Sequence, residues 1–72
     1  MGATHVVENV FTVQRRFPPG TVLRSSRDNR CYMIGTKYGR SEFWMMPLDG
    51  GGKVTVPAHR ILTQFKKDEV AS

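Results

Sequence analysis

The chain has 72 residues, of which 39% are hydrophobic, and 11 Lys and Arg against 6 Asp and Glu give it a net charge of +5. This length accommodates one small domain, which buries too little surface to enclose a deep, dry catalytic cleft as well. No apolar run approaches the roughly 20 residues of a membrane span, and the N-terminus lacks the layout of a secretory signal. A single cysteine excludes an internal disulfide. We therefore expect one cytoplasmic, monomeric domain formed by residues 6–67.

The N-terminal part of the chain contains two segments, of which only the second has a pattern that predicts secondary structure. Residues 1–5 carry no periodic pattern and are expected to be disordered. Residues 6–14, VVENVFTVQ, combine helical i,i+4 spacing of apolar residues with a valine and threonine content that favours a strand. We predict a strand here, with one or two helical turns as the alternative.

Turn signals divide the middle of the chain into short segments. Proline, glycine, asparagine and aspartate mark turns or loops at residues 17–20, 26–30, 37–40 and 49–52. The segments between them are β-branched, aromatic or alternating, and we predict strands at residues 21–25, 31–36, 41–48 and 53–56.

The C-terminal part begins with a second proline signal. Residues 57–60 favour a single 3₁₀ turn, and residues 61–66 form either a last strand or a short helix. Residues 68–72 are expected to be a loose tail. Short strands separated by turns at this spacing predict an all-β fold, a small antiparallel barrel of about five strands.

Residues 42–62, EFWMMPLDGGGKVTVPAHRIL, resemble the second half of an SH3-like small β-barrel. Phe43 and Trp44 stand where these barrels have an aromatic pair, and residues 56–61 stand at their proline turn. The resemblance implies an all-β barrel with one short helix or 3₁₀ turn. Peptide-binding SH3 domains carry an acidic loop, whereas this chain is basic there, so other SH3-like barrels, which bind nucleic acid, ribosomes or polymerases, fit the charge better. In size and charge the chain is also similar to small bacteriophage-encoded regulators.

Positive charge is concentrated in the first half of the chain. Between residues 9 and 41 only Asp28 opposes seven basic residues, which leaves this part at +6. The seven are Arg15, Arg16, Arg24, Arg27, Arg30, Lys37 and Arg40. If the loops at residues 24–30 and 37–40 lie at one end of the barrel, they form one positive patch that attracts polyanions. The alternative is a solvated, basic surface without a partner.

Aromatic residues lie close to these basic residues in sequence. Phe43 and Trp44 are consecutive on a predicted strand, so they must point to opposite faces, and at least one is expected to be core. Met45 and Met46 alternate in the same way. Tyr38 falls in a predicted loop and is the best candidate for exposure, where a ring can stack on a base or anchor a protein interface.

Catalytic and metal-binding patterns are weak. His5, Cys31 and His59 belong to different predicted elements, so we expect no zinc site and no other cofactor. Cys31 with His59 is the only nucleophile and base pair available, and Cys31 opens a strand in which cysteine usually behaves as a small buried hydrophobe. We therefore predict that the protein is not an enzyme.

These observations favour a regulatory binding protein that docks through a basic patch onto an acidic surface of a larger machine that handles nucleic acid, for example as a transcription inhibitor. The alternatives are direct binding of DNA or RNA and, less favoured, SH3-type peptide binding. The predicted partner-binding residues are Arg15, Arg16, Arg24, Arg27, Arg30, Lys37, Tyr38, Arg40 and Trp44.

Overall fold

The computed structural model describes the backbone of residues 2–68 and the side chains of residues 8–68. Residues 69–72 of the expected loose tail lie outside the described residues, whereas Asp68 is buried. The described elements are α1 (Gly2–Arg16), β1 (Val22–Ser25), β2 (Cys31–Tyr38), β3 (Glu42–Pro47), β4 (Val54–Pro57), α2 (Ala58–Gln64) and β5 (Phe65–Lys67).

Residues 6–14 are helical, so the predicted strand was wrong; the helix is longer than the one or two turns of the alternative and also includes residues 2–5, which were expected to be disordered. Within α1, Val10 and Val13 are buried together with Phe17, which directly follows the helix. Their spacing of three and four residues places them on one face, and α1 packs with α2. This tertiary packing outweighs the intrinsic β preference of valine. Pro18 removes a backbone donor just beyond the end of the helix.

The predicted strands at residues 21–25, 31–36, 41–48 and 53–56 are confirmed as β1 to β4, with ends that differ by one or two residues. Every neighbouring pair in the sheet is antiparallel, and the strand order is β4-β3-β2-β1-β5. Gly39 forms the β2–β3 turn with a positive φ of 66°, a conformation that glycine adopts without steric cost.

The predicted all-β, SH3-like barrel is wrong. The protein is a mixed α/β domain in which two helices pack with an open five-stranded sheet. The sheet does not close, because β4 and β5 form its two edges and α2 occupies the chain between them. The amide of Ala58 donates to the Ser41 carbonyl at 2.8 Å, and the amide of Ser26 donates to the Gln64 carbonyl at 2.7 Å. Both ends of α2 are therefore fixed to loops of the sheet.

The segment after Pro57 also differs from the prediction. In place of a 3₁₀ turn, Pro57 takes an extended conformation and directly precedes an α-helix. The predicted strand or short helix at residues 61–66 is divided between the end of α2 and β5. Ala58 and Ile61 are buried on the inner face of α2, so apolar burial explains why the helix extends beyond one turn.

One face of the sheet and the two helices enclose the core. Along β3, Phe43, Met45 and Pro47 are buried, whereas Trp44 and Met46 point the other way. The buried hydrophobic residues are Val10, Val13, Phe17, Leu23, Tyr32, Ile34, Phe43, Met45, Val56, Ala58, Ile61 and Phe65. The opposite face of β2 and β3 is left facing solvent.

Candidate nucleic-acid interface

The solvent-facing side of β2 and β3 carries a group of large apolar side chains. We call this surface the outer face and define it by Met33, Tyr38, Trp44 and Met46. Met33 is 40% exposed, and Tyr38 and Met46 are each 51% exposed, while Trp44 is half-buried. Met33 and Met46 are direct cross-strand partners. Contiguous exposed apolar side chains are typical of binding surfaces.

Tyr38 and Trp44 form the aromatic part of the outer face. Their ring centroids lie 4.8 Å apart with the planes inclined at 60°, an edge-to-face geometry that is favourable for aromatic pairs. Gly35 makes the close approach of Trp44 possible, since a Cβ built on Gly35 would lie 3.2 Å from the Trp44 Cβ. The pairing of β2 with β3 shifts register between Ile34 and Lys37.

One basic side chain contacts the rings, and two others lie on the same hairpin, where Lys37 pairs with Phe43 and so shares the inner face of the sheet. The Lys53 Nζ lies 4.7 Å from the centre of the Trp44 ring, within the range of a cation–π contact. Lys37 donates a hydrogen bond to the Gly39 carbonyl and Arg40 is exposed, and both belong to the same hairpin as Tyr38. Glu42, which pairs across from Tyr38, adds one carboxylate to this end of the hairpin.

A shallow groove of about 230 Å³ runs across the outer face. Met33, Gly35, Trp44, Met46 and Lys53 line it. This volume lies below the roughly 300–1,000 Å³ of pockets that enclose a drug-sized molecule. The groove therefore suits part of a larger partner that lies across the strands, with apolar contacts at its floor and an ammonium group at its rim.

Two of the predicted binding arginines form ion pairs with carboxylates of the domain itself. Arg30 forms a two-point ion pair with Asp49, at 2.7 Å and 3.2 Å, and its guanidinium lowers the pKa of that carboxyl. Arg24 contacts the buried carboxylate of Asp68 at 3.2 Å and the Asn29 carbonyl at 3.1 Å. A guanidinium whose donors are already occupied has fewer left for a phosphate or a partner carboxylate.

The basic loops do not form one patch. The loop with Arg27 precedes β2 and the turn with Arg40 follows it, so the eight-residue length of β2 separates them by roughly 23 Å at the rise of a strand. At the Arg40 end, a depression of about 270 Å³ is lined by Gln14 and Lys37 among others. Because residues of both elements line this depression, the end of α1, which carries Arg15 and Arg16, lies next to the β2–β3 hairpin.

The structure thus places some of the predicted partner-binding residues close together and others far apart. Lys37, Tyr38, Arg40 and Trp44 share one hairpin, with the end of α1 beside it, whereas Arg24, Arg27 and Arg30 lie toward the other end of β2. The sequence prediction missed Lys53, Met33 and Met46. The sequence signal for Lys53 was its position directly before the predicted strand that became β4. In the structure Thr55 of β4 pairs with Trp44, so this end of β4 lies beside the ring.

The candidate nucleophile has a structural partner other than His59. The Cys31 Sγ donates to the Asp68 Oδ2 at 2.9 Å. This hydrogen bond, together with desolvation, raises the pKa of the Cys31 thiol, which disfavours the reactive thiolate. Among the side chains of residues 8–68, no group of three or more His, Cys, Asp or Glu is placed to hold a metal ion. No helix of the described part has the length and apolar character needed to cross a membrane.

Comparisons with known proteins give no indication of the function. No protein family matches the chain, and neither curated proteins nor solved structures include a match. The functional argument therefore rests on the chemistry of the outer face and of the surfaces around it.

Proposed function

We propose that the protein is a non-catalytic binding protein that binds single-stranded nucleic acid on the outer face of β2 and β3. The observation that carries the proposal is the exposed Tyr38 ring paired with the half-buried Trp44 ring, with the Lys53 ammonium beside the indole. Exposed rings on a sheet, bordered by cations, are the arrangement on which unpaired bases stack while phosphates meet the charges.

The physical features of the outer face favour a single strand over a duplex. Bases of a duplex are stacked on one another, so their faces cannot reach Tyr38 or Trp44 without unpairing. The net charge of +5 assists encounter with any polyanion. Stacking tolerates any base because every base has a π-face, so we expect little sequence preference.

Docking onto an acidic protein surface through one continuous arginine patch receives less support. Arg24 and Arg30 have carboxylate partners within the domain, and the loops that would complete the patch lie at opposite ends of β2. For the compartment we propose the cytoplasm, since the single cysteine has no second cysteine in the chain to pair with.

The test is fluorescence anisotropy with a labelled oligothymidine of about twelve nucleotides, a length within the range of known single-strand sites. Loss of a stacked base costs about 1–3 kcal/mol, so Trp44→Ala and Tyr38→Ala should each weaken binding about fivefold or more. The matched control is Phe11→Ala. Phe11 is 61% exposed but lies on α1, away from the outer face, and its loss should change affinity less than about twofold.

Salt dependence checks the role of Lys53. Each phosphate neutralised contributes about 0.7 to the slope of log affinity against log salt for a single strand. Lys53→Gln should lower that slope by about this amount, whereas Lys66→Gln on β5 should leave it nearly unchanged. Equal affinity for duplex and single strand, or equal losses for Phe11→Ala and Trp44→Ala, would refute base stacking on the outer face.

A further inference from the structure

A second recess lies on the other side of the sheet, where the open sheet fails to close. Its volume is about 400 Å³, within the roughly 300–1,000 Å³ of ligand-binding pockets. We call it the edge cleft and define it by its lining residues Arg27, Tyr32, Val56, Arg60, Gln64 and Phe65. It lies between the edge strand β4, the helix α2 and the β1–β2 loop, and no residue of the outer face lines it.

The edge cleft borders an available strand edge. One side of β4 pairs with β3, and the strand order leaves its other side as an edge of the sheet. Val54, Thr55 and Val56 of β4 line the cleft. Edge strands present unpaired N–H and C=O groups on which an extended segment can add as a further strand.

A buried acceptor in the cleft wall lacks a partner. The Oε1 of Gln64 is buried and accepts no hydrogen bond from any of the described residues. The backbone carbonyl of Gln64, in contrast, accepts from both the amide and the hydroxyl of Ser26, at 2.7 Å and 3.0 Å. This oxygen is closed to solvent, so a donor reaches it only when the Gln64 side chain moves.

The charge of the edge cleft indicates the chemistry of the occupant. Arg27 and Arg60 line it and are both exposed. The cleft also contains Asp28, but its carboxylate accepts from the Arg30 amide at 3.0 Å and from the Tyr32 hydroxyl at 2.8 Å. Two guanidinium groups in the cleft fit an extended segment with a carboxylate at every second residue, because alternate side chains of such a segment point to the same side.

From these observations we propose that the edge cleft binds an extended acidic peptide segment of a protein partner, which pairs with the edge of β4 and places carboxylates against Arg27 and Arg60. Its backbone would supply the strand hydrogen bonds to the free edge of β4. The proposal is independent of nucleic-acid binding, because the edge cleft and the outer face share no lining residue.

The probe is a short N-acetylated peptide that alternates glutamate and valine, titrated into the ¹⁵N-labelled full-length protein and followed by NMR. We expect saturable shifts of the β4 amides and of the Gln64 side-chain amide, with the outer face unchanged. Charge reversal replaces each attraction between a guanidinium and a carboxylate with a repulsion. Arg27→Glu with Arg60→Glu should therefore weaken binding at least about fivefold.

Two matched controls make the outcome decisive. Arg15→Glu with Arg16→Glu changes the net charge equally at the end of α1, outside the edge cleft, and should alter affinity less than about twofold. A peptide of the same sequence with every backbone amide N-methylated has the same charge but lacks all backbone donors, and it should bind much more weakly. Absence of saturable shifts, equal losses for both double variants, or equal binding of the N-methylated peptide would each overturn the proposal. Retained oligothymidine binding alongside any of these results would show that the outer-face proposal stands separately.

Discussion

Two consecutive methionines show how strongly one position determines the role of a side chain. Met45 is completely buried, whereas Met46 is 51% exposed on the other face of β3. Met45→Ala should lower the free energy of unfolding by about 2–5 kcal/mol, because it removes core contacts and leaves a cavity. Chemical denaturation monitored by circular dichroism provides the measurement.

Met46→Ala is the matched control, since it makes the same chemical change on the same strand. Its effect on the free energy of unfolding should stay within about 0.5 kcal/mol. Equal destabilisation by the two variants would contradict the assignment of the core to the face that carries Met45.

Alternation along a strand could be predicted from sequence at this scale, but ion pairing could not. The opposite orientations of Phe43 and Trp44 follow from the period of a strand and are confirmed, as is the exposure of Tyr38. That Arg30 meets Asp49 depends on two loops that are 19 positions apart in the chain. No local pattern indicates such a contact.

At the scale of elements, the contact between β2 and β3 beneath Trp44 depends on the missing side chain of Gly35. A methyl group at this position would lie 3.2 Å from the Trp44 Cβ, so the two strands would have to separate slightly. Gly35→Ala should be less stable than Gly52→Ala by about 1–3 kcal/mol, the usual cost of overpacking. Thermal unfolding monitored by circular dichroism measures the difference.

Gly52 is the appropriate comparison, because an added Cβ there meets nothing within 4 Å and its φ is not positive. Both substitutions restrict the unfolded chain to the same extent, so the difference between them reports the contact with Trp44. If both variants were equally stable, Gly35 would not be needed for the packing of β2 against β3.

The elements of the sheet were easier to predict than the helices. Turn residues delimit β1 to β4 in the sequence, and local signals of this kind act through short-range backbone preferences. The helix α1 is stabilised by packing of Val10 and Val13 with residues more than 40 positions later, such as Ile61. The i,i+4 spacing indicated a helix and the valine content favoured a strand, so the tertiary contact decides between the two.

At the scale of the whole molecule, one ion pair ties together two connections of the sheet. Arg30 in the β1–β2 loop holds Asp49 in the β3–β4 turn. The pKa of Asp49 is lowered in the folded state, so its contribution to stability is present above the unfolded value of about 4. That contribution is lost as the pH falls through the folded pKa.

Asp49→Asn should therefore lower the melting temperature slightly at pH 7, and the difference from the wild type should shrink toward zero as the pH falls below the lowered pKa of the folded carboxyl. The effect is small because both side chains are substantially exposed. Thermal unfolding at several pH values, with and without added salt, measures it. A difference that does not change with pH would argue against the ion pair as its cause.

Charge at this scale also explains why the predicted patch did not form. The excess of basic residues in the first half of the chain is real, but antiparallel pairing sends successive loops to alternate ends of the sheet. Sequence proximity therefore overestimated spatial proximity for Arg27 and Arg40. Tyr38 and Trp44, in contrast, are in contact because they lie on the two strands that flank a single turn.

The position of Trp44 has one more consequence. It is the only tryptophan of the chain, and it lies beside Tyr38 and under the Lys53 ammonium. Indole emission responds to nearby charge and to stacked rings, so the protein carries its own optical reporter on the outer face. A base stacked there should quench that emission without any attached dye, whereas a peptide in the edge cleft should leave the spectrum unchanged.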